Sequence, residues 1–120
     1  MPKVLLVDDD AALRRLVSLT LGPSYEILEA TNGVDAVALA VKEAPDVVFM
    51  DVRMPLLSGY EACRQIKAQL GPDRTRVVIL TAFDGAQDRA QGAAAGADDY
   101  LTKPYSPLTL LKKLEALLDR

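Results

Sequence analysis

Val47-Val48-Phe49-Met50-Asp51 is a short apolar run that stops abruptly on a carboxylate, with Pro45-Asp46 before it and Val52-Arg53-Met54-Pro55 after it. A continuous apolar run with β-branched residues and no helical period reads as a strand buried on both faces. Such strands occupy the middle of parallel sheets, which sets Asp51 where the sheet meets solvent. In open α/β sheets, ligands bind at the C-terminal ends of the strands. Asp51 therefore either merely ends a strand or reacts there, and the ends of the other strands decide between the two.

Working outward, Lys3 to Val7 is a second apolar run, ending in Asp8-Asp9-Asp10. Asp10 is placed to N-cap a first helix whose apolar face is Leu13, Leu16, Val17 and Leu21, and Gly22-Pro23 ends it. Tyr25 to Ala30 carries Glu26 and Glu29, as suits an edge strand. Asn32-Gly33 opens a second helix with Val34, Val37, Ala38 and Val41 at helical spacing, closed by Pro45. Beyond the central strand, a loop from Val52 to Leu57 leads to Ser58-Gly59-Tyr60-Glu61, a capping-box pattern that starts a third helix. Cys63, Ile66 and Leu70 form its inner face, with Cys63 read as a small buried hydrophobe.

Gly71-Pro72-Asp73 is a turn, and Val77-Val78-Ile79-Leu80 is a fourth strand ending on Thr81. Asp84 to Ala95 reads as the fourth helix, although Gly85, Gly92 and Gly96 would each cost about 1 kcal/mol relative to alanine. Asp99-Tyr100-Leu101-Thr102 is a short fifth strand ending on Lys103-Pro104. Pro107 stands at the first position of a last helix, with Leu108, Leu111, Leu114 and Leu118 as its stripe. Five strands alternating with five helices imply a doubly wound α/β domain over residues 1–120, its parallel sheet covered on both faces. Right-handed crossovers make the strand order 2-1-3-4-5.

Composition narrows the chemistry. Half of the 120 residues are apolar, enough for one buried core, and the net charge of −3 argues against non-specific nucleic-acid binding by this segment. No stretch approaches the roughly 20 apolar residues that span a bilayer, and Met1-Pro2-Lys3 leads straight into a strand without an apolar signal region. A cytoplasmic protein without membrane contact is the expectation. The lone Cys63 makes no internal disulfide and no Cys/His metal motif can form. The chain has no histidine, the commonest general base. Acid/base and metal chemistry falls to Asp, Glu and Lys.

In the expected topology Asp8 and Asp9 leave the first strand beside Asp51 on the third. Three carboxylates repel one another unless a cation compensates. Mg²⁺ suits the set: it prefers oxygen ligands and needs only one or two carboxylates. The backbone carbonyl of Arg53 is the candidate to complete the protein's share. The fourth strand ends on a hydroxyl, Thr81, and the fifth on an ammonium, Lys103. A metal-binding cluster, a donor and a fixed positive charge around one carboxylate suit phosphoryl transfer, with Asp51 as the nucleophile.

Leu6-Val7-Asp8-Asp9, Met50-Asp51-Val52-Arg53-Met54-Pro55, Ser58-Gly59-Tyr60-Glu61, Leu80-Thr81-Ala82 and Ala97-Asp98-Asp99-Tyr100-Leu101-Thr102-Lys103-Pro104 stand in this order along the chain. In these segments the sequence resembles the receiver domains of two-component response regulators, over essentially its whole length. Those domains share the flavodoxin-like 2-1-3-4-5 order, so the expected topology and the resemblance are not independent. The resemblance implies that Asp51 accepts a phosphoryl group from the phosphohistidine of a sensor histidine kinase or a histidine phosphotransfer protein in a phosphorelay. Asp8, Asp9 and Asp51 would hold Mg²⁺ with the Arg53 carbonyl, and Lys103 would pair with the bound phosphoryl group, its peptide to Pro104 cis. Thr81 would swing toward the phosphoryl oxygens and Tyr100 would rotate into the vacated space. Ala82 would leave the phosphate open to water, so the domain would catalyse its own phosphorylation and dephosphorylation while acting as a switch rather than a metabolic enzyme. The absent histidine fits, since the donor belongs to the partner.

The implied output surface is the face of the fourth helix, fifth strand and fifth helix. Its Asp98-Asp99-Tyr100 and Lys103-Pro104-Tyr105-Ser106-Pro107 segments resemble receivers of winged-helix transcription factors, which form homodimers there through salt bridges. Leu108-Thr109 departs from the charged pair usual in those proteins, and Ala93 to Ala95 lacks their acid, whereas Lys112 and Lys113 remain. A DNA-binding effector would lie outside this segment.

Three other functions fit these residues less well. A phosphate hydrolase with an aspartyl nucleophile usually has a second acid two residues later, where this chain has Arg53. A phosphorylation-independent interaction module of the same fold normally loses an acid, the hydroxyl or the lysine, and this chain keeps them all. A flavin binder needs donors where Asp8 to Asp10 would repel a phosphate.

Overall fold

Alternate residues of the central strand enter different cores. Val47 and Phe49 join one apolar cluster, and Val48 and Met50 join the other, all four without exposed surface. The computed structural model describes residues 1–54, 56–82 and 86–118, with side chains from residue 89 onward in the last segment. Its elements in chain order are β1 (Lys3–Val7), α1 (Ala11–Leu21), β2 (Glu26–Ala30), α2 (Gly33–Glu43), β3 (Val47–Asp51), α3 (Gly59–Leu70), β4 (Arg76–Thr81), α4 (Ala86–Ala94), β5 (Asp99–Thr102) and α5 (Pro107–Leu118). The five strands are parallel in the order β2-β1-β3-β4-β5. This is the expected flavodoxin-like architecture.

The two cores follow from strand alternation. Leu5, Val7, Val48, Met50, Val77 and Ile79 pack against α2 and α3, whereas Val4, Leu6, Val47, Phe49, Val78 and Leu80 pack against α1 and α5. Full burial of each such side chain contributes about 1.5–3 kcal/mol, which pins the register of β3. The ends of β1, β3 and β5 fall where the sequence sets them. β2 begins one residue later than expected, and β4 extends to Arg76 and Thr81.

Caps form from the expected residues. Asp10 accepts from the N–H groups of Ala12 and Leu13, Asn32 accepts from Asp35 N–H and Ser58 from Glu61 N–H. The Glu61 carboxylate takes Arg64 at 2.7 Å. Pro107 is the first residue of α5.

The buried faces of three helices differ from the expectation. In α1, Val17 and Leu21 are buried but Leu16 is 54% exposed. In α2 the buried set is Gly33, Ala36, Val37 and Ala40, while Val34, Ala38 and Val41 are exposed. Both sets have helical spacing, one residue out of phase. The smaller residues face inward because α2 packs closely on α3 and the loop before it, and a Cβ on Gly33 would run into the Leu57 backbone. In α5, Leu110, Leu114 and Leu117 are buried, and Leu108 is 56% exposed. The expected start of α4 at Asp84, with Gly85, lies outside the described residues, as do Pro55 and Arg120. Among the described residues, no helix is long and apolar enough to cross a membrane.

Candidate functional site

Backbone bonds bring four strand ends to one edge of the sheet. Val7 is in register with Met50, so Asp8 emerges beside Asp51, and Asp8 N–H donates to the Ala30 carbonyl at 3.2 Å. Asp51 is in register with Leu80, which sets Thr81 one residue beyond it. Thr81 pairs with Thr102, and its carbonyl accepts from Lys103 N–H at 2.7 Å. The far side of Asp51 is held by α3: Gly59 N–H donates to the Val52 carbonyl at 3.0 Å. A Cβ on Gly59 would strike the Asp51 carbonyl oxygen, so this close approach requires glycine.

The three acids meet as expected. One carboxylate oxygen from each of Asp8, Asp9 and Asp51 lies within 4.8 Å of the others. Asp8 and Asp51 are buried, and Asp9 is exposed. Lys103 Nζ donates to Asp51 Oδ2 at 3.0 Å and lies 4.0 Å from Asp8 Oδ2. Arg53 N–H reaches Asp51 Oδ1 at 3.4 Å. Burial pushes the Asp51 carboxyl above its ordinary range, Lys103 opposes that shift, and the Asp8 charge adds to it. Thr81, at the end of the neighbouring strand, is buried, 5% exposed. The Lys103-Pro104 peptide is cis.

Two residues absent from the sequence-level site complete the surroundings of Asp8. Tyr105 O–H donates to Asp8 Oδ2 at 2.7 Å, and Arg14 Nη1 donates to the Asp8 carbonyl at 2.8 Å. Burial, and then the bond to Asp8, drive the Tyr105 phenol far above its ordinary pKa, so it stays a donor. Nothing in the sequence marks Tyr105 as a partner of Asp8, and Arg14 is signalled only by its place one turn beyond the Asp10 cap. The acids open into a cleft of about 530 Å³ lined by Asp8, Asp9, Asp10, Ala82, Lys103 and Tyr105. A groove of about 660 Å³ between α3 and α4, lined in part by Met54, Tyr60, Arg64 and Gln91, adjoins the acid site through Val52 and Arg53.

Tyr100 does not reach the acids. Its hydroxyl donates to the Arg89 carbonyl at 2.6 Å, and its ring lies where a Cβ on Gly92 would fall, so it is docked on α4. Neighbouring residues tie β5 to other helices: Asp99 pairs with Lys113 and Asp98 with Lys67, each at 2.7 Å.

The donors fit a hard divalent cation. They are all oxygens, and three carboxylates facing one lysine ammonium leave excess negative charge in a partly buried cleft. Zinc-type N/S ligation is excluded by composition, since the chain has no histidine and its one cysteine is buried elsewhere.

Comparison with known proteins agrees with this geometry. The family model "Response regulator receiver domain" matches residues 4–115. The DNA-binding dual master transcriptional regulator RpaA of Synechocystis sp. is 38% identical over 121 residues, covering 100% of this chain and 50% of RpaA. The chain spans about half the length of several curated relatives it matches, RpaA among them. Among solved structures, chemotaxis protein CheY4 of Vibrio cholerae superposes with a TM-score of 0.89 at 38% identity, over 98% of each chain. The receiver domain of sensor histidine kinase PA1611 from Pseudomonas aeruginosa, solved with a magnesium ion in its active-site cleft, gives a TM-score of 0.86 at 32% identity. That match covers 99% of this chain and 98% of the other.

Proposed function

The chain belongs to the response-regulator receiver family, and from that membership we propose that Asp51 is its phosphoacceptor. The observation that carries the reading is a buried carboxylate at the end of the central strand, 3.0 Å from a lysine ammonium and grouped with two further acids. The donor in this reading is the phosphohistidine of a sensor histidine kinase or a histidine phosphotransfer protein. An Asp51 oxygen forms a bond to phosphorus as the histidine N–P bond breaks, and the electron pair leaves with the imidazole. Lys103 offsets charge on the transferred oxygens, and the Thr81 hydroxyl donates to one of them.

Asp8, Asp9, Asp51 and the Arg53 carbonyl would hold Mg²⁺, which supplies charge neutralisation for the phosphoryl group. Ala82, exposed at the rim of the cleft, leaves room for the water that later hydrolyses the acyl phosphate. The domain thus catalyses its own phosphorylation and dephosphorylation and works as a switch in the cytoplasm.

The switch reading gives Thr81 and Tyr100 coupled movements. Tyr100 is held on α4 by its bond to Arg89 and its contact with Gly92, so moving the ring releases contacts on the α4-β5-α5 face. That face is the proposed output surface and the surface for a homodimer. Its Asp99 and Lys113 already pair within the chain, so a second copy would compete for them, and Leu108-Thr109 offers it no charged pair. The complete acid, hydroxyl and lysine set does not favour a phosphorylation-independent module.

Beryllofluoride, a mimic of a bound phosphoryl group, tests the assignment by amide NMR. Saturable Mg²⁺-dependent binding with the largest shifts at Asp51, Thr81 and Lys103 is expected, followed by shifts at Tyr100 and in α4. Absence of binding contradicts it.

A further inference from the structure

The Tyr105 hydroxyl has no part in the phosphoryl transfer described above, yet it is bonded to the centre of the site. The ring alone accounts for the packing of Tyr105 against the α1-α5 core, and phenylalanine would fill that role. The oxygen is committed elsewhere, to Asp8 Oδ2 at 2.7 Å from 97 residues away in sequence. Asp8 Oδ1 accepts from Asp10 N–H at 2.9 Å. Neutral donors therefore fix both oxygens of a carboxylate that is 1% exposed.

A second donor makes that commitment matter. Lys103 Nζ is 3.0 Å from Asp51 Oδ2 and 4.0 Å from the same Asp8 oxygen that Tyr105 holds. About 1 Å of movement would convert the longer separation into a hydrogen bond. A buried carboxylate oxygen that loses its donor takes the nearest replacement, and here that is the Lys103 ammonium.

We propose that the Tyr105 hydroxyl is a positioning group: it holds Asp8 in its cation-binding orientation and leaves Lys103 to Asp51. The inference rests on reading Asp8, Asp9 and Asp51 as the Mg²⁺ site. Without the hydroxyl, Lys103 swings toward Asp8, competes with the cation there and loosens its grip on Asp51. Partners that orient metal-binding side chains typically account for about 10–100-fold in affinity. The lower figure applies here, because Asp10 N–H still holds one oxygen.

The test is the Mg²⁺ affinity of the whole chain, read by amide NMR titration at constant ionic strength, for wild type, Tyr105→Phe, Asp8→Asn and the double variant. Tyr105→Phe is expected to bind Mg²⁺ about tenfold more weakly, and in the Asp8→Asn background the same change is expected to add less than about twofold. Tyr105→Phe affinity equal to wild type, or an undiminished effect without Asp8, overturns the positioning role and leaves the metal site standing. Absence of saturable Mg²⁺ binding in wild type overturns the metal site and the role together. One readout needs no substitution. In wild type labelled at tyrosine ¹³Cζ, the Tyr105 resonance is expected to shift with the same midpoint as the titration, and a silent Tyr105 contradicts the proposal.

Discussion

Lys103 Nζ lies 3.0 Å from Asp51 Oδ2, joining residues 52 positions apart at the ends of strands that are not neighbours in the sheet. β4 runs between them, so the pair arches over the strand end that carries Thr81. A carboxylate, an ammonium and a hydroxyl are thereby held at the ends of three adjacent strands whose register is set by apolar residues behind them. Order in the core becomes order in the site.

Removing the cation should expose the cost of the buried acids. Lys103→Met without Mg²⁺ is expected to lose about 2–3 kcal/mol at pH 8, under the range for a fully buried pair, because Lys103 is 30% exposed. The loss shrinks near pH 4, where Asp51 takes up a proton in place of its lost partner. Urea unfolding at the two pH values checks this, and an equal loss at both contradicts it.

Neutralising Asp51 should do the opposite. Its folded-state pKa is raised, chiefly by burial, from the ordinary value of 3.8. As pH rises past 3.8 the unfolded chain therefore releases this proton first. The folded chain then holds more protons, and linkage makes stability fall with pH until the folded group has also ionised. Asp51→Asn removes that penalty. It is expected to melt above wild type at pH 7 without metal, with the difference vanishing below pH 3.8. A lower melting temperature at pH 7 contradicts the account.

Gly59 clamps the end of β3 against α3. A Cβ there would meet the Asp51 carbonyl oxygen and the Val52 Cα, both main-chain atoms. Gly59→Ala is expected to cost about 1–3 kcal/mol by overpacking, and to weaken Mg²⁺ binding because relief of the clash moves Asp51. Denaturant unfolding and a Mg²⁺ titration on the same sample check both effects.

Cys63 serves the core rather than chemistry. Its thiol is fully buried, donates to the Ala95 carbonyl at 3.4 Å, and is pushed by burial from 9.0 to about 11. A rise of that size lowers the thiolate fraction about a hundredfold. Native protein at pH 8 is expected to resist a thiol reagent that labels it rapidly in urea. Stability should also fall as pH rises from 9 toward 11, since only the unfolded thiol ionises in that window.

The sheet was legible because β3 and β1 carry unbroken apolar runs, which have no period to misread. Helix faces were less legible. In α2 two helical stripes one residue apart, 34, 37, 38 and 41 against 33, 36, 37 and 40, share Val37, and close packing chose the one that carries the small residues Gly33, Ala36 and Ala40. In α5, leucine occupies so many positions that Leu108 reads as well as Leu110, yet only the latter faces the core. Asp8, Asp9, Asp51 and Lys103 could be read as a group because each ends a strand. Tyr105 could not, since an aromatic after Lys103-Pro104 declares no partner and Asp8 is 97 residues away.

Asp51 is the proposed phosphoacceptor. Intact mass after incubation with acetyl phosphate, with and without Mg²⁺, on wild type and Asp51→Asn, tests it most directly. A Mg²⁺-dependent gain of one phosphoryl group is expected in wild type and none in the variant. An equal gain in Asp51→Asn would contradict it, as would no gain in wild type together with no Mg²⁺-dependent beryllofluoride binding.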